Sequence, residues 1–319
     1  MSTKISIIVT SYTTKQISDI EELLDSIKTQ SYSNIETIFV VERSQELYSI
    51  VKTKEKEVRN LKVLFNEAIP GISACRNLGI QESKGQIVAF VDDDAVLTHR
   101  WAEETARVYD NYSEIIGLTG PIVPLWEEPS MAWFPREFYW IFACTYYDWT
   151  EPREVRNGYG TNISFRIESF NSGGQFAGYL GSERGGAKGQ QKTTAEETEL
   201  SLRIRRKTGK RIEYNPKIIV NHKVHSFRLT RKYLWKRGYI EGSSKMIIRK
   251  VYKDSLKKDK VLQTEYDLLK RILFKLLPDI TKGVFTKPVV SWRRFYVTVI
   301  VLSAVASGYI AYLFKKTPV

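Results

Sequence analysis

The chain has 319 residues, and its 49 Lys+Arg outnumber 36 Asp+Glu for a net charge of +13. That length suits one large domain or two ordinary ones, and 42% apolar with 27% charged residues excludes a disordered or fibrous chain. Two cysteines (Cys75, Cys144) and three histidines (His99, His222, His225) exclude a disulfide scaffold, a cysteine-only metal site and a multi-histidine cluster.

The N-terminus passes from Met-Ser-Thr-Lys straight into a strand-like run, so no cleaved signal peptide is expected. Residues 5–9 (ISIIV) are β-branched and apolar and read as a buried parallel strand ending at Thr10-Ser11-Tyr12. Residues 19–30 place Ile20, Leu23, Leu24 and Ile27 on one helical face. Residues 35–41 (IETIFVV) form a second strand ending at Glu42. A charged helix over 48–59 and a third strand over 61–65 follow. Residues 72–82 read as a helix, Gly85 breaks the chain, and 87–91 (IVAFV) form a fourth strand. This β-α-β-α-β-α-β alternation predicts a mostly parallel sheet flanked by helices. In such sheets ligands bind beyond the carboxyl ends of the strands, which directs attention to Thr10, Ser11, Glu42 and Asp92–Asp94. Neither a Gly-x-Gly-x-x-Gly turn nor a Gly-Lys-Ser/Thr loop is present, which weakens a dinucleotide enzyme and a P-loop NTPase.

Residues 121–149 are strongly aromatic, from Trp126 through Trp133, Phe134 and Phe138 to Trp149. They suit a core segment, a sugar-stacking surface or a membrane contact equally. A glycine-rich loop spans 172–189. A helix over 196–207 opens on acids and closes on Arg/Lys, as its macrodipole favours. Residues 1–227 are close to neutral, whereas 228–294 carry 19 basic against 6 acidic residues. Residues 266–285 interleave Leu, Ile and Phe with Lys270, Arg271 and Lys275, as in a helix on an anionic membrane surface or an ordinary solvated face. Residues 295–314 are 20 uncharged positions between Arg293-Arg294 and Lys315-Lys316, long enough to span a hydrocarbon core. The basic residues ahead of this run put residues 1–294 on the cytoplasmic side. The expected organisation is a catalytic domain over 1–227, a basic membrane-proximal helical region over 228–294, a transmembrane helix over 295–314 and a short tail over 315–319.

Three adjacent carboxylates, Asp92-Asp93-Asp94, repel one another and need a positive partner. In extended chain Asp92 and Asp94 point the same way, and oxygen ligands suit Mg²⁺ or Mn²⁺, ions that bind diphosphates. Arg76 could pair with phosphate and Asn77 could hydrogen-bond a base, a sugar or the backbone. Cys75 has no evident partner base and reads as a packing residue. In residues 195–200 (AEETEL) a carboxylate opening a helix could serve as general base, while Glu199 reads as ordinary helix-start charge. His222 follows a strand-like run over 218–220 and could complete an Asp-based metal site or be structural.

These features in this order resemble a family 2 glycosyltransferase of the GT-A fold over about residues 4–240, most closely in residues 71–95, GISACRNLGIQESKGQIVAFVDDDA. The resemblance implies that Thr10, Ser11 and Glu42 hold base and ribose, with Arg76 and Asn77 near the diphosphate. It implies an Asp-x-Asp motif with Asp92 toward the ribose and metal, Asp94 on the metal, and Asp93 in the nucleotide-sugar site. Residues 158–166 (GYGTNISFR) resemble the segment lining the donor-sugar and acceptor pocket, with Asn162 as its polar contact. Glu197 takes the base position and His222 completes the metal site. Glu42 and Glu197 stand where the family more often has Asp, one methylene shorter. The implied activity is an inverting, Mg²⁺- or Mn²⁺-dependent transfer from a nucleotide-sugar donor to a lipid-linked or membrane-proximal glycan acceptor. A silent membrane-anchored nucleotide- or glycan-binding scaffold is the alternative, opposed by intact Asp92, Asp94 and Glu197. A nucleic-acid partner is not expected, because the positive charge adjoins an apolar run and no nucleic-acid motif appears.

Overall fold

Burial of β-branched runs sets the first half of the architecture. The computed structural model describes residues 2–67, 70–178, 194–253 and 261–315. It divides into two compact units, one of Met1–Val123, Trp149–Lys192 and Glu196–Lys223, the other of Pro124–Asp148, Thr193–Ala195 and Val224–Val319. Residues 124–148, which the sequence places inside a continuous 1–227 domain, thus group with the C-terminal helices.

In the first unit, β1 (Ile5–Ser11) is buried at every position. Helix α1 (Ile17–Lys28) turns Ile20, Leu23, Leu24 and Ile27 inward. β2 (Ile35–Glu42), α2 (Gln45–Thr53), β3 (Leu61–Asn66), α3 (Ile72–Glu82) and β4 (Ile87–Asp92) follow. The Ser44 hydroxyl caps α2 by accepting from Leu47 N at 3.3 Å, satisfying a donor the helix itself leaves open. After β5 (Ala95–Leu97) come α4 (Trp101–Asn111), β6 (Ile115–Thr119) and β7 (Ile122–Trp126). Then β8 (Arg153–Val155), β9 (Ile163–Arg166), α5 (Glu168–Gly173), α6 (Glu196–Thr208), β10 (Arg211–Tyr214) and β11 (Val220–Val224) complete the series. The glycine-rich loop expected over 172–189 lies mostly outside the described residues.

The main sheet has eight strands in the order β3-β2-β1-β4-β9-β6-β10-β8. β3, β2, β1 and β4 are mutually parallel, as the sequence alternation requires. β9 enters antiparallel between β4 and β6, so the sheet is mixed. Register decides what meets at its carboxyl edge: Thr10 lies opposite Asp92, Ser11 opposite Val41 and Glu42 opposite Asn66. β11 pairs antiparallel with β5 and sets His222 against Ala95, one residue from Asp94.

In the second unit the aromatic stretch is core. Phe134, Phe138 and Phe142 are buried, and Trp126 packs against Phe134, Tyr139 and Phe142 with centroids 5.6–6.5 Å apart. Helix α7 (Arg231–Val251) is capped by the Thr230 hydroxyl. Helix α8 (Gln263–Arg271), a π turn over Ile272–Leu276, α9 (Leu277–Thr286) and α10 (Pro288–Leu313) follow. The helix that the sequence reads over 266–285 is present as continuous helical backbone from Gln263 to Thr286, widened between α8 and α9 by this π turn. α10 is long and apolar enough to cross a membrane.

α7 and α10 meet backbone to backbone through small residues. A Cβ on Gly242 would stand 2.0 Å from Val305 O, one on Gly308 2.0 Å from Tyr239 O, and one on Gly238 2.9 Å from the Ala304 methyl. The spacing of Gly238 with Gly242, and of Ala304 with Gly308, is the small-x-x-x-small pattern of close helix pairs. Gly242→Val would have to push the two helices apart. It is expected to destabilise the protein by about 1–3 kcal/mol, the range for overpacking. Gly238→Ala, which meets a side chain, should cost less. Thermal unfolding followed by circular dichroism checks this order, and an unchanged midpoint for Gly242→Val contradicts the packing.

Candidate active site

The carboxyl edge of the parallel strands carries the chemistry. Asp92 ends β4 and is half-buried, and Asp93 and Asp94 in the following turn are buried. The His222 Nε2 lies 2.7 Å from Asp94 Oδ1. One ligand atom from each of Asp92, Asp94 and His222 falls within a 4.8 Å group. The register of β5 with β11 and the Lys223 N–H donated to Asp94 O at 3.0 Å hold the two chain segments that carry them. Two hard carboxylate oxygens and one imidazole are a donor set that fits Mg²⁺ or Mn²⁺. Half-exposed Asp92 leaves the group open on one side.

Arg76, on α3, occupies the centre of the adjoining wall. Its Nη1 donates to Glu197 Oε1 at 2.7 Å and lies 3.7 Å from Glu196 Oε1, while Nη2 lies 3.8 Å from Asp92 Oδ1. The guanidinium also stands 5.3 Å from the Phe176 ring centre and 5.8 Å from that of Phe90. Burial works against its charge, but Glu197, Glu196 and Asp92 together outweigh that and raise its pKa above the ordinary arginine value. Sequence reading places Arg76 near a diphosphate; the structure gives it three protein carboxylates.

Glu197 opens α6 with its side chain 14% exposed. Glu199, two residues on, is held by both ends of its carboxylate to Arg203, with Nε to Oε1 and Nη2 to Oε2 each 2.8 Å. That bidentate pair gives Glu199 a structural role.

Two asparagines turn out to be buckles within the fold. Asn77 binds the Phe176 backbone twice, donating to Phe176 O and accepting from Phe176 N at 2.9 Å each, and so holds Phe176 beside Arg76. Asn162 is 1% exposed. Its Oδ1 accepts from Trp101 Nε1 at 3.0 Å, and its Nδ2 donates to Ile218 O at 2.8 Å and to Pro121 O at 3.3 Å. The Asn162 amide, expected at the donor sugar, is engaged here by these three core partners. Glu42 is buried and accepts from Gly71 N at 2.7 Å through Oε1. Thr10 and Ser11 end β1 at the same edge, and the buried Ser11 hydroxyl has no hydrogen-bond partner among the described residues.

Sequence reading missed two residues inside the segment it quoted. Thr161 donates from Oγ1 to Asp92 Oδ2 at 2.5 Å. Gly160 makes room for the Arg76–Glu197 pair, since a Cβ there would stand 2.1 Å from Arg76 Nη2 and 2.3 Å from Glu197 Oε1. A glycine followed by a hydroxyl residue just ahead of a core strand was the available signal.

Comparison with known proteins agrees with this geometry. The family model described as Glycosyl transferase family 2 matches residues 6–174. A Haloferax volcanii protein named glucosyl-dolichyl phosphate glucuronosyltransferase is 31% identical over 277 residues, covering 85% of this chain and 87% of the relative. A mannosyltransferase from Pyrobaculum calidifontis, solved with GDP-Man and Mn²⁺, superposes with a TM-score of 0.64 at 16% identity, over 99% of this chain and 88% of its own. Staphylococcus aureus TarS 1-349 with UDP-GlcNAc superposes at 0.55 and 16% identity, over 97% of this chain and 83% of its own. Fold and site together define a glycosyltransferase of the GT-A fold. The chain belongs to glycosyltransferase family 2.

Gly160→Ala tests the wall directly. The added methyl must displace Arg76 or Glu197, and misplacing a reacting group by about 1 Å can cost about 10²-fold in rate. The expected result is a loss of that order in kcat with the thermal midpoint largely kept, measured as glycosyl transfer and as unfolding of the same preparation.

Proposed function

We propose that this enzyme is an inverting glycosyltransferase that moves a sugar from a nucleoside diphosphate donor to a lipid-linked glycan acceptor in a divalent-metal-dependent reaction. The observation that carries the reading is the juxtaposition of Asp92, Asp94 and His222 with Glu197 across one buried guanidinium. Asp92, Asp94 and His222 would hold Mg²⁺ or Mn²⁺, which when bound supplies charge to offset the diphosphate leaving group. Thr10, Ser11 and Glu42 line the strand edge where base and ribose would sit, with Asp93 in the adjoining turn. Glu197 is the general base. Its carboxylate takes the proton of the acceptor hydroxyl as that oxygen attacks the anomeric carbon from the face opposite the diphosphate. One bond forms to the acceptor oxygen, the bond to the diphosphate breaks, and the anomeric configuration inverts.

The acceptor class rests on two supports. The Haloferax relative is named for a glucosyl-dolichyl phosphate substrate, and the C-terminal helices expose a run of apolar side chains. Phe274, Phe285, Trp292, Tyr296, Ile310 and Phe314 are each more than half exposed. With the basic residues among them, this surface suits an anionic bilayer. α10 would be the membrane-crossing helix, carrying with it the part of α7 packed on it, with the catalytic residues on the cytoplasmic side, where nucleotide sugars are made. The silent-scaffold alternative has no observation in its favour.

Four measurements test the reading. A panel of nucleotide sugars should give release of nucleoside diphosphate that EDTA abolishes. Glu197→Gln, which keeps the size but cannot take a proton, should slow turnover by about 10²–10⁴-fold with donor binding retained. Asp94→Ala should abolish the metal-dependent part, and wild-type activity of that variant contradicts the metal assignment. For the anchor, the full-length chain should stay in the membrane pellet in alkaline carbonate. Release to the supernatant removes the span, and with it the main support for a lipid-linked acceptor.

A further inference from the structure

We propose that Thr161 is a positioning residue that aims the Asp92 carboxylate at the cation, and that Asn162 holds Thr161 in place to do so. This rests on the reading of Asp92, Asp94 and His222 as a metal site and goes one layer beyond it. Asp92 ends β4 where the strand gives way to a turn, and its carboxylate reaches beyond the sheet. Two neighbours compete for it. Thr161 Oγ1 donates to Oδ2 at 2.5 Å, and Arg76 Nη2 stands 3.8 Å from Oδ1, beyond hydrogen-bond range. The hydroxyl has hold of the carboxylate and the guanidinium does not. Thr161 is fully buried, so its donor is not shared with water.

The turn that presents this hydroxyl is pinned on every side. Asn162 N donates to Tyr159 O at 2.9 Å, and Asn162 O accepts from Thr119 Oγ1 at 2.6 Å. The Asn162 amide binds Trp101, Pro121 and Ile218. Ile218 lies four residues before His222. Asn162 thus fixes the backbone of Thr161, whose hydroxyl holds Asp92, and the approach to the strand that carries His222. A carboxylate held in one rotamer before the cation arrives loses less freedom on binding it. Outer partners of this kind typically contribute 10–100-fold to metal affinity.

Removing the Thr161 hydroxyl frees Asp92 to swing onto Arg76, away from Asp94 and His222. The experiment is Mn²⁺ binding to the purified full-length protein without donor, followed by the electron paramagnetic resonance signal of free Mn²⁺. Thr161→Val should weaken binding by about 10–100-fold. Thr161→Ser, which restores the donor, should return it to near the wild-type value. Thr161→Ala provides the same deletion without the extra methyl, and thermal unfolding of each variant controls for the fold. Wild-type affinity in a folded Thr161→Val or Thr161→Ala overturns the proposal while leaving the metal site standing. A serine variant as weak as the valine one also overturns it, because the hydroxyl is then not the cause. Failure of the wild-type protein itself to bind Mn²⁺ refutes the metal site and this inference with it.

Discussion

One buried guanidinium lets three carboxylates share a wall. Arg76 lies against Glu197, Glu196 and Asp92 and beside the Phe176 and Phe90 rings. Without that charge, the acids that begin α6 and the acid that ends β4 would repel one another across a poorly hydrated space. Everything around the site serves to keep Arg76 there. α3 delivers it, Asn77 clasps the Phe176 backbone that flanks it, and Gly160 leaves the space it fills. The Asp92 end and the Glu197 end of this wall are therefore not independent, since Arg76 lies against both.

The sheet explains why these groups converge. Parallel strands send their carboxyl ends to one edge, and register lines up Thr10 with Asp92 there. β11 returns beside β5 and brings His222 to Asp94 across 128 residues of sequence. In the C-terminal unit the constraint is different. Helices α7 and α10 approach through small residues, with backbone against backbone at Gly242 and Gly308 and the Ala304 methyl against Gly238. Val297, Ile300 and Val301 of α10 are buried, while Trp292, Tyr296 and Ile310 of the same helix, and Phe274 and Phe285 before it, are left exposed.

Local periodicity carries the parts of this fold that depend on local burial. β1, β2 and β4 were legible as runs rich in β-branched residues and β3 as a short apolar run, each between polar turns, and α3 matches the expected residues 72–82. The antiparallel β9 was not, because four residues between a glycine turn and α5 have no distinctive pattern, and only pairing with β4 and β6 makes them a strand. Asp92, Asp94 and His222 could be singled out because a cation site constrains residue type, and the fold brings one candidate ligand atom from each together. The partners of Arg76, Asn77 and Asn162 were not, since an arginine or asparagine beside a phosphate and one buried in the fold look alike in sequence. Thr161 escaped for a related reason: a single hydroxyl acquires meaning only from the carboxylate that the fold sets against it.

The central claim is that Asp92, Asp94 and His222 form one cation site beside the Arg76–Glu197 pair. Anomalous diffraction at the manganese edge, from crystals grown with Mn²⁺ and a nucleoside diphosphate, tests it most directly. The account predicts one strong peak within coordinating distance of all three side chains, with Glu197 still on Arg76. A peak on Glu196 and Glu197 instead, or none at the carboxyl end of β4, contradicts it.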